Sequence, residues 1–321
     1  MNTSFFNHVS EEIKGVETLM RAQAGVEHHP DLRAALEHLL SAGGKRVRPT
    51  VVFLAGGLFS ANKEKLTTLG AAIEMLHTAT LVHDDLIDGA LLRRGIATLN
   101  ARWSPAATVL TGDFLFGRAA KLAADIDHLP LMKYFAETLT IIVNGEITQM
   151  FSSKGLIDRK NYYSRIYAKT ASLFELSSLG AALIGTDDAA QQEALKKYGY
   201  ELGMAFQIMD DILDYNGEQL KVGKPIGSDL LNGLVTLPAI YYAERYPDDA
   251  GVKTLADGGW GNREKMEILI KTIAESNAIR YSFDEANEHV EKALAAIRPW
   301  EGMAEHGHLT DLARYVINRS F

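Results

Sequence analysis

Residues 81–95 read LVHDDLIDGALLRRG, and residues 207–215 read QIMDDILDY. Each stretch closes an apolar run with three aspartates in one pattern: Asp84, Asp85 and Asp88 in the first, Asp210, Asp211 and Asp214 in the second. The first and last aspartates of each set are four residues apart, so they share one helix face. Upstream of the first set, Leu69, Ile73, Leu76 and Thr80 keep three- and four-residue spacing, which predicts a helix from about Leu66 to Asp88. The same period recurs outward in both directions. It predicts helices over Asp31–Leu40, from Pro49 through VVFLAGGLF, and over Ala106–Ala123, Leu131–Phe151, Asn161–Leu183 and Asp188–Tyr215. Toward the C-terminus it predicts Val235–Glu244, Arg263–Ser276, Tyr281–Ile297 and Leu309–Asn318. Gly43–Gly44 reads as a terminator and Pro49 suits a first turn. Asp187–Asp188, after Gly185, reads as an N-cap.

Strand signals are scarce, and no linker is rich enough in Pro, Gly or Ser to divide the chain. The likeness between the two aspartate stretches is too short for a repeat architecture. The expectation is an all-α fold, a single helical-bundle domain over residues 1–321, although length alone suggests two domains.

A formal net charge of −8 argues against a broad nucleic-acid surface. An anionic ligand must then be met by locally placed Lys and Arg. The chain has no cysteine, which excludes disulfides, thiolate nucleophiles and Cys-based zinc sites. The start, MNTSFFNHVSEEIKG, lacks the basic opening and apolar core of a signal peptide. No stretch reaches the ~18 uninterrupted apolar residues of a membrane span. A cytoplasmic, soluble protein is expected.

Three carboxylates within two helical turns repel one another, and at the end of an apolar helix they call for neutralising cations. All-oxygen ligands suit Mg²⁺, which takes one or two protein carboxylates and completes its shell with water and phosphate oxygens. Two facing clusters would grip a diphosphate through bridging metals. The plainer alternative, a solvated helix end, is weakened by the presence of two copies. Cations recur beside small residues: Lys45, Arg46 and Arg48 in GGKRVRP, Arg93 and Arg94 before Gly95, Lys169 beside Thr170, and Lys221 and Lys224 around Gly223. Arg binds phosphate oxygens bidentately, whereas Lys offers a point charge. GGKR is not GxxxxGK[ST], which argues against a P-loop nucleotide hydrolase. His83–Asp84 raises the alternative of an HD-type phosphohydrolase. That chemistry needs several further His and Asp ligands, and no second His-rich cluster appears in the first 230 residues beyond His28–His29, so His83 reads as a hydrogen-bonding or buried histidine.

Taken together, GGKRVRP, LVHDDLIDGALLRRG, GEITQ, KTASLFE and QIMDDILDY…GKPIGSDL…TLP resemble, in order, the signature blocks of trans-isoprenyl diphosphate synthases of the medium- or long-chain type. The resemblance covers Gly43–Pro238. It implies an all-α fold with a central cavity, a homodimer or related dimer, and a prenyltransferase that joins an allylic diphosphate to isopentenyl diphosphate with Mg²⁺. It also implies roles. Asp84, Asp88 and Asp210 would be metal ligands, supported by Asp85, Asp211 and Asp214. Arg93, Lys169 and Lys224 would hold the allylic diphosphate, and Lys45, Arg48, His77 and Arg94 the isopentenyl diphosphate. Thr170 and Gln207 would stabilise the reacting end.

One departure from the family pattern is Asn232-Gly233-Leu234-Val235-Thr236, where many members carry Lys in an EGKxT segment. The DLLNGLVTLP form is similar to that of heptaprenyl-type synthases, some of which need a non-identical partner subunit. A class I terpene cyclase usually lacks the second aspartate set and the GGKxxRP block. A non-catalytic subunit would have lost aspartates that are all present here.

Short-chain members tend to carry an aromatic residue four or five positions before the first aspartate. Here those positions are Thr80 and Ala79. Thr80, Leu76 and Ala72 step back by ~6 Å each, roughly one isoprene unit, and the resemblance implies about six to nine units in the product. The floor is expected deeper, at Leu76, Met75, or an aromatic such as Phe114 or Phe151. So apolar a product implies transient contact with a membrane surface on release.

Overall fold

The structure is a computed structural model that describes residues 4–25, 28–41, 43–93, 95–151, 155, 158–215 and 226–318. In chain order, α1 (Ser4–His8), α2 (Ser10–Arg21), α3 (Pro30–Ser41), α4 (Val47–Gly57) and α5 (Lys63–Ile87) lead to a small ribbon. In that ribbon, β1 (Leu92–Arg93) pairs antiparallel with β2 (Ile96–Ala97), with Arg93 opposite Ile96. There follow α6 (Leu99–Arg102), α7 (Pro105–Asp125), α8 (Leu129–Phe151), α9 (Arg159–Ile166), a π turn (Tyr167–Ala171), α10 (Ser172–Gly185) and α11 (Ala189–Leu213). The C-terminal part comprises α12 (Ser228–Leu231), α13 (Leu237–Arg245), α14 (Ala250–Ala256), α15 (Arg263–Ala274), α16 (Ala278–Ala296) and α17 (Ala304–Ile317).

α5 starts where the Asn62 side chain accepts the Lys65 N–H at 3.0 Å, satisfying one of the donors a helix start leaves open. Along its length Leu69, Ala72, Ile73, Leu76 and Ala79 are all fully buried. A helix apolar all round belongs in the middle of a bundle, and α5 packs against α2, α4, α7 and α10. α10 is buried at every residue from Ser172 to Ala182 and touches α4, α8 and α11 as well. α11 is capped as expected, with Asp188 accepting from Ala190 N at 2.8 Å and Gln191 N at 3.3 Å. It lies between α10 and α16. The two aspartate sets therefore end two long helices of one bundle.

The expected helices are present with ends moved by a few residues, most at the last, which begins at Ala304 rather than Leu309. α1, α2, α6, α12 and α14 were not expected. The helix expected over Asn161–Leu183 is interrupted by the π turn, a widened turn that composition does not announce. Its two neighbours make room for it with glycines. A Cβ on Gly145 of α8 would sit 2.4 Å from the Ala168 Cβ, and one on Gly203 of α11 would sit 2.5 Å from the Ala171 Cα.

Gly203→Ala and Gly145→Ala are thus expected to lose roughly 1–3 kcal/mol by overpacking, measured as a lower unfolding midpoint. Gly117→Ala, on α7 with nothing within 4 Å of the new Cβ, is expected to gain about 0.5–1 kcal/mol from helix propensity. Equal midpoints for all three variants would show that the π turn is not confined in this way.

Candidate functional site

At the end of α5 the three aspartates have different surroundings. Asp85 is buried and accepts two bonds from Arg93 Nε, at 2.9 and 3.0 Å, while Arg93 NH2 lies 2.8 Å from its Oδ1. This pair ties the ribbon back onto the helix that precedes it. Asp84 is half-buried, and Asp88 is exposed at the helix C-cap.

The π turn brings Lys169 to the same place. Its Nζ lies 3.4 Å from Glu146 Oε1 of α8. Burial works against the Lys169 charge, but Glu146, Asp84 and Asp88 outweigh it and hold the ammonium above its ordinary pKa. Asp84 is pushed up to about 6, by burial first and then by Glu146 and Asp88, with Lys169 and Arg93 pulling the other way. Three carboxylates thus share one ammonium. The donors are all oxygen and negative charge is in excess, which fits a hard divalent cation. Among the described residues no three His, Cys, Asp or Glu side chains form a ready-made metal cluster.

Thr170, the next residue, turns to the other aspartate set. Its Oγ1 donates to Gln207 Oε1 at 2.6 Å, and Gln207 Nε2 donates to Asp211 Oδ1 at 2.8 Å. The buried Tyr162 hydroxyl donates to Asp211 Oδ2 at 2.7 Å. Burial, with help from Asp229, pushes Asp211 up to about 7, against the bonds from Gln207 and Tyr162 and the charge of Arg165. Asp214 is also buried, and accepts Ser228 Oγ at 2.7 Å and Asp229 N at 3.1 Å. Asp210 is half-buried. In each set, then, some carboxylates hold the protein together: Asp85 in the first, Asp211 and Asp214 in the second. Asp84, Asp88 and Asp210 stay in contact with solvent.

The GGKR turn makes its contacts with other helices. Lys45 Nζ donates to the Tyr315 hydroxyl of α17 at 2.7 Å, and the Arg48 guanidinium lies over the Phe174 ring of α10 at 4.8 Å. His77 is half-buried on α5, seven residues before Asp84. Thr80 is half-buried and donates to the His77 carbonyl at 2.8 Å, while Ala79 and Leu76 are fully enclosed. Leu76 lies one turn beneath Thr80. Phe151 is 81% exposed, and Phe114 packs edge-on against His28 at 5.1 Å. His83 Nε2 is 3.2 Å from the Val109 carbonyl, a hydrogen-bonding histidine. Arg94, Lys221 and Lys224 lie outside the described residues.

Glu146 and Tyr315 were not singled out from sequence. GEITQ is read from sequence only as a block, and nothing near residue 315 points to Lys45. A groove of about 490 Å³ away from the aspartates is lined by Tyr163, Tyr200, Tyr241 and Glu285, among others. Glu285 accepts Tyr241 OH at 2.6 Å and Arg159 NH1 at 3.1 Å, and also bonds Tyr163 OH. That network is saturated from within and ties α9, α13 and α16 together.

Two aspartate-bearing helices of an all-α bundle, joined by a lysine–threonine turn, define a helical isoprenoid-synthase type of protein. A sequence model of the family described as Polyprenyl synthetase matches residues 29–273, and the chain belongs to this family. It is 36% identical over 321 residues to heptaprenyl diphosphate synthase component 2 of Geobacillus stearothermophilus, covering 99% of each chain. It is 37% identical to the all-trans-nonaprenyl-diphosphate synthase (geranyl-diphosphate specific) of Rhodobacter capsulatus, covering 88% of this chain and 87% of that one. The polyprenyl synthase of Caulobacter crescentus, solved with calcium and isoprenyl diphosphate, superimposes with a TM-score of 0.90 at 33% identity, covering 98% of this chain and 97% of that one.

The raised Asp84 gives a signed expectation. Its folded pKa of about 6 stands above the ordinary 3.8, so ionisation opposes folding. The penalty is absent below the unfolded value and complete above the folded one. In chelator at about pH 8, Asp84→Asn is expected to melt higher than the unchanged protein, with the difference gone near pH 4. Equal midpoints at the higher pH would remove the crowding argument.

Proposed function

We propose that this chain extends an allylic diphosphate with successive isopentenyl diphosphate units, making an all-trans polyprenyl diphosphate in the heptaprenyl-to-nonaprenyl range. One observation carries this reading: the π turn joins the two aspartate sets, with Lys169 among Asp84, Asp88 and Glu146, and Thr170 bonded through Gln207 to Asp211. The names of the relatives, heptaprenyl and nonaprenyl synthases, favour the product range, as do the small residues at Ala79 and Thr80.

In this reading Asp84, Asp88 and Asp210 hold Mg²⁺, with Asp85, Asp211 and Asp214 as their supports. Held there, Mg²⁺ would supply neutralisation of the charge that develops on the departing diphosphate. Lys169 and Arg93 bind the same diphosphate directly, with Asp85 fixing the Arg93 fork. Lys45, Arg48 and His77 bind isopentenyl diphosphate; Arg94 would join them, and Lys224 the allylic group. The allylic C–O bond breaks with its electron pair leaving on diphosphate. The isopentenyl double bond attacks the freed carbon, and the proton then lost goes to the diphosphate. The Thr170 hydroxyl and Gln207 amide face the reacting end with fixed dipoles. Thr80 and Ala79 leave the path beneath the aspartates open to the growing tail, and Leu76 is the first large side chain it meets.

The working form is a dimer, with a second copy or a non-identical subunit covering an exposed apolar face on α7 and α8. Val109, Leu110, Val143, Ile147 and Met150 all stand in solvent there, more apolar surface than an isolated chain usually shows. The work place is the cytoplasm, where a chain without cysteine is at home. Among the described residues no helix is long and apolar enough to cross a membrane, and contact with one is limited to product release.

The direct test incubates the purified chain with Mg²⁺, radiolabelled isopentenyl diphosphate and farnesyl diphosphate, then sizes the extracted prenyl alcohols. A ladder ending at seven to nine units is expected. Thr80→Tyr should end it at least one step, ~6 Å of tunnel, earlier. A ladder that stops at four units or fewer in the unchanged protein overturns the open-tunnel reading, and no incorporation points to an obligatory partner subunit. Ile147→Glu should convert a dimer to monomer in light scattering; a monomeric parent protein removes the dimer.

A further inference from the structure

Arg46 lies between two cations assigned above to isopentenyl diphosphate, yet its side chain goes elsewhere. Its backbone is left-handed, φ 49° and ψ 41°, a region that non-glycine residues seldom occupy. It opens α4 at the capping position, without a side-chain cap, where Ser, Thr, Asp or Asn is the usual choice. Composition and helix chemistry give no reason for arginine there, so the reason lies in tertiary contacts.

Those contacts are two ion pairs. Nε donates to Glu17 Oε1 of α2 at 2.9 Å, and NH1 donates to Glu74 Oε2 of α5 at 3.0 Å. Side-chain exposure is 10% for Arg46 and 5% for Glu74, so the second pair is interior, where breaking one partner is costly. Burial works against the Arg46 charge, but Glu74 and Glu17 overcome it. The Arg46 carbonyl accepts both Thr50 N at 3.0 Å and Thr50 Oγ1 at 2.9 Å. One residue thus joins α2, α4 and α5. Its neighbours reach other elements: Lys45 reaches Tyr315 of α17, and Arg48 lies over Phe174 of α10. Glu74 stands three residues before His77 on α5, so the anchor sits on the helix that supplies a third ligand of the same diphosphate.

We propose that Arg46 is a positioning residue that touches no substrate: its ion pairs to Glu74 and Glu17 hold the left-handed bend that aims Lys45 and Arg48, with His77, at the isopentenyl diphosphate. This rests on the reading of Lys45 and Arg48 given above. The bend lets Arg46 turn to α2 and α5 while Lys45 and Arg48 on either side of it reach α17 and α10.

The test is steady-state kinetics with each substrate varied in turn, on Arg46→Gly, Arg46→Lys, Glu74→Gln, Glu17→Gln and Lys45→Ala. Arg46→Gly suits the left-handed backbone and removes only the ion pairs. Its KM for isopentenyl diphosphate is expected to rise about tenfold, with the allylic KM within about twofold. Glu74→Gln should show the same split, and Arg46→Lys should recover part of the loss. An unchanged isopentenyl KM in Arg46→Gly overturns the proposal, because the bend alone would then suffice. A raised KM in Arg46→Gly with none in Glu74→Gln or Glu17→Gln also overturns it, since Arg46 would then be meeting substrate directly. If Glu74→Gln fails to fold, the half-exposed Glu17→Gln decides the point. Lys45→Ala separates the two levels: an unchanged isopentenyl KM there rejects the site assignment itself.

Discussion

A single ammonium, that of Lys169, faces Asp84, Asp88 and Glu146, and this imbalance governs the mouth of the bundle. Carboxylates crowded at the ends of apolar helices repel one another and lose hydration. Arg93 also pulls on Asp84, yet burial and the neighbouring carboxylates outweigh both cations. The fold raises Asp84 toward neutrality and leaves an excess of negative charge, which fits a hard divalent cation. Lys169 reaches the carboxylates because the chain widens into a π turn there. That turn is housed only because Gly145 and Gly203 let α8 and α11 come close.

The aspartate triplets also show why each pattern needs more carboxylates than face the solvent. Asp85 holds Arg93, so the ribbon's cation stands at a fixed distance from the helix end. Asp211 receives Gln207 and Tyr162, and Asp214 receives Ser228 and the Asp229 backbone. Preorganised dipoles and charges need no rearrangement as charge develops, and buried carboxylates with two donors each are the means used here. An aspartate-to-alanine change at Asp211 would therefore disturb Gln207 and Thr170 even if that carboxylate never meets a metal.

Much of this was legible in the sequence, for identifiable reasons. Helical period, the Asp188 cap and the paired aspartate sets are local patterns, and local patterns survive reading in one dimension. The π turn was not legible, because a single added residue leaves the apolar spacing of Asn161–Leu183 nearly intact. β1 and β2 are too short for alternation to register. Tyr315 was missed because its bond to Lys45 spans 270 residues, and nothing near residue 315 signals it. Glu146 did carry a local signal. It stands beside a glycine in a helix otherwise rich in apolar residues, and a helix-interior glycine usually has a packing reason.

α5 connects these observations. Glu74 takes Arg46, and Leu76, His77, Thr80, Asp84 and Asp88 follow it, all on one uninterrupted helix or at its C-cap. From Glu74 to Asp84 the rise is ~15 Å at 1.5 Å per residue. A helix packed on five others does not bend easily, so under the proposed function the spacing between the two diphosphates, and the depth available to the tail, would be fixed by residue number along a rod. Product length can then change by altering side-chain size at Ala79, Thr80 or Leu76 without moving either charged site. A shift of the rod itself would disturb both sites at once. The ion pair of Glu74 with Arg46 holds the middle of the rod, and the Asp85–Arg93 pair ties the ribbon to its C-terminal end.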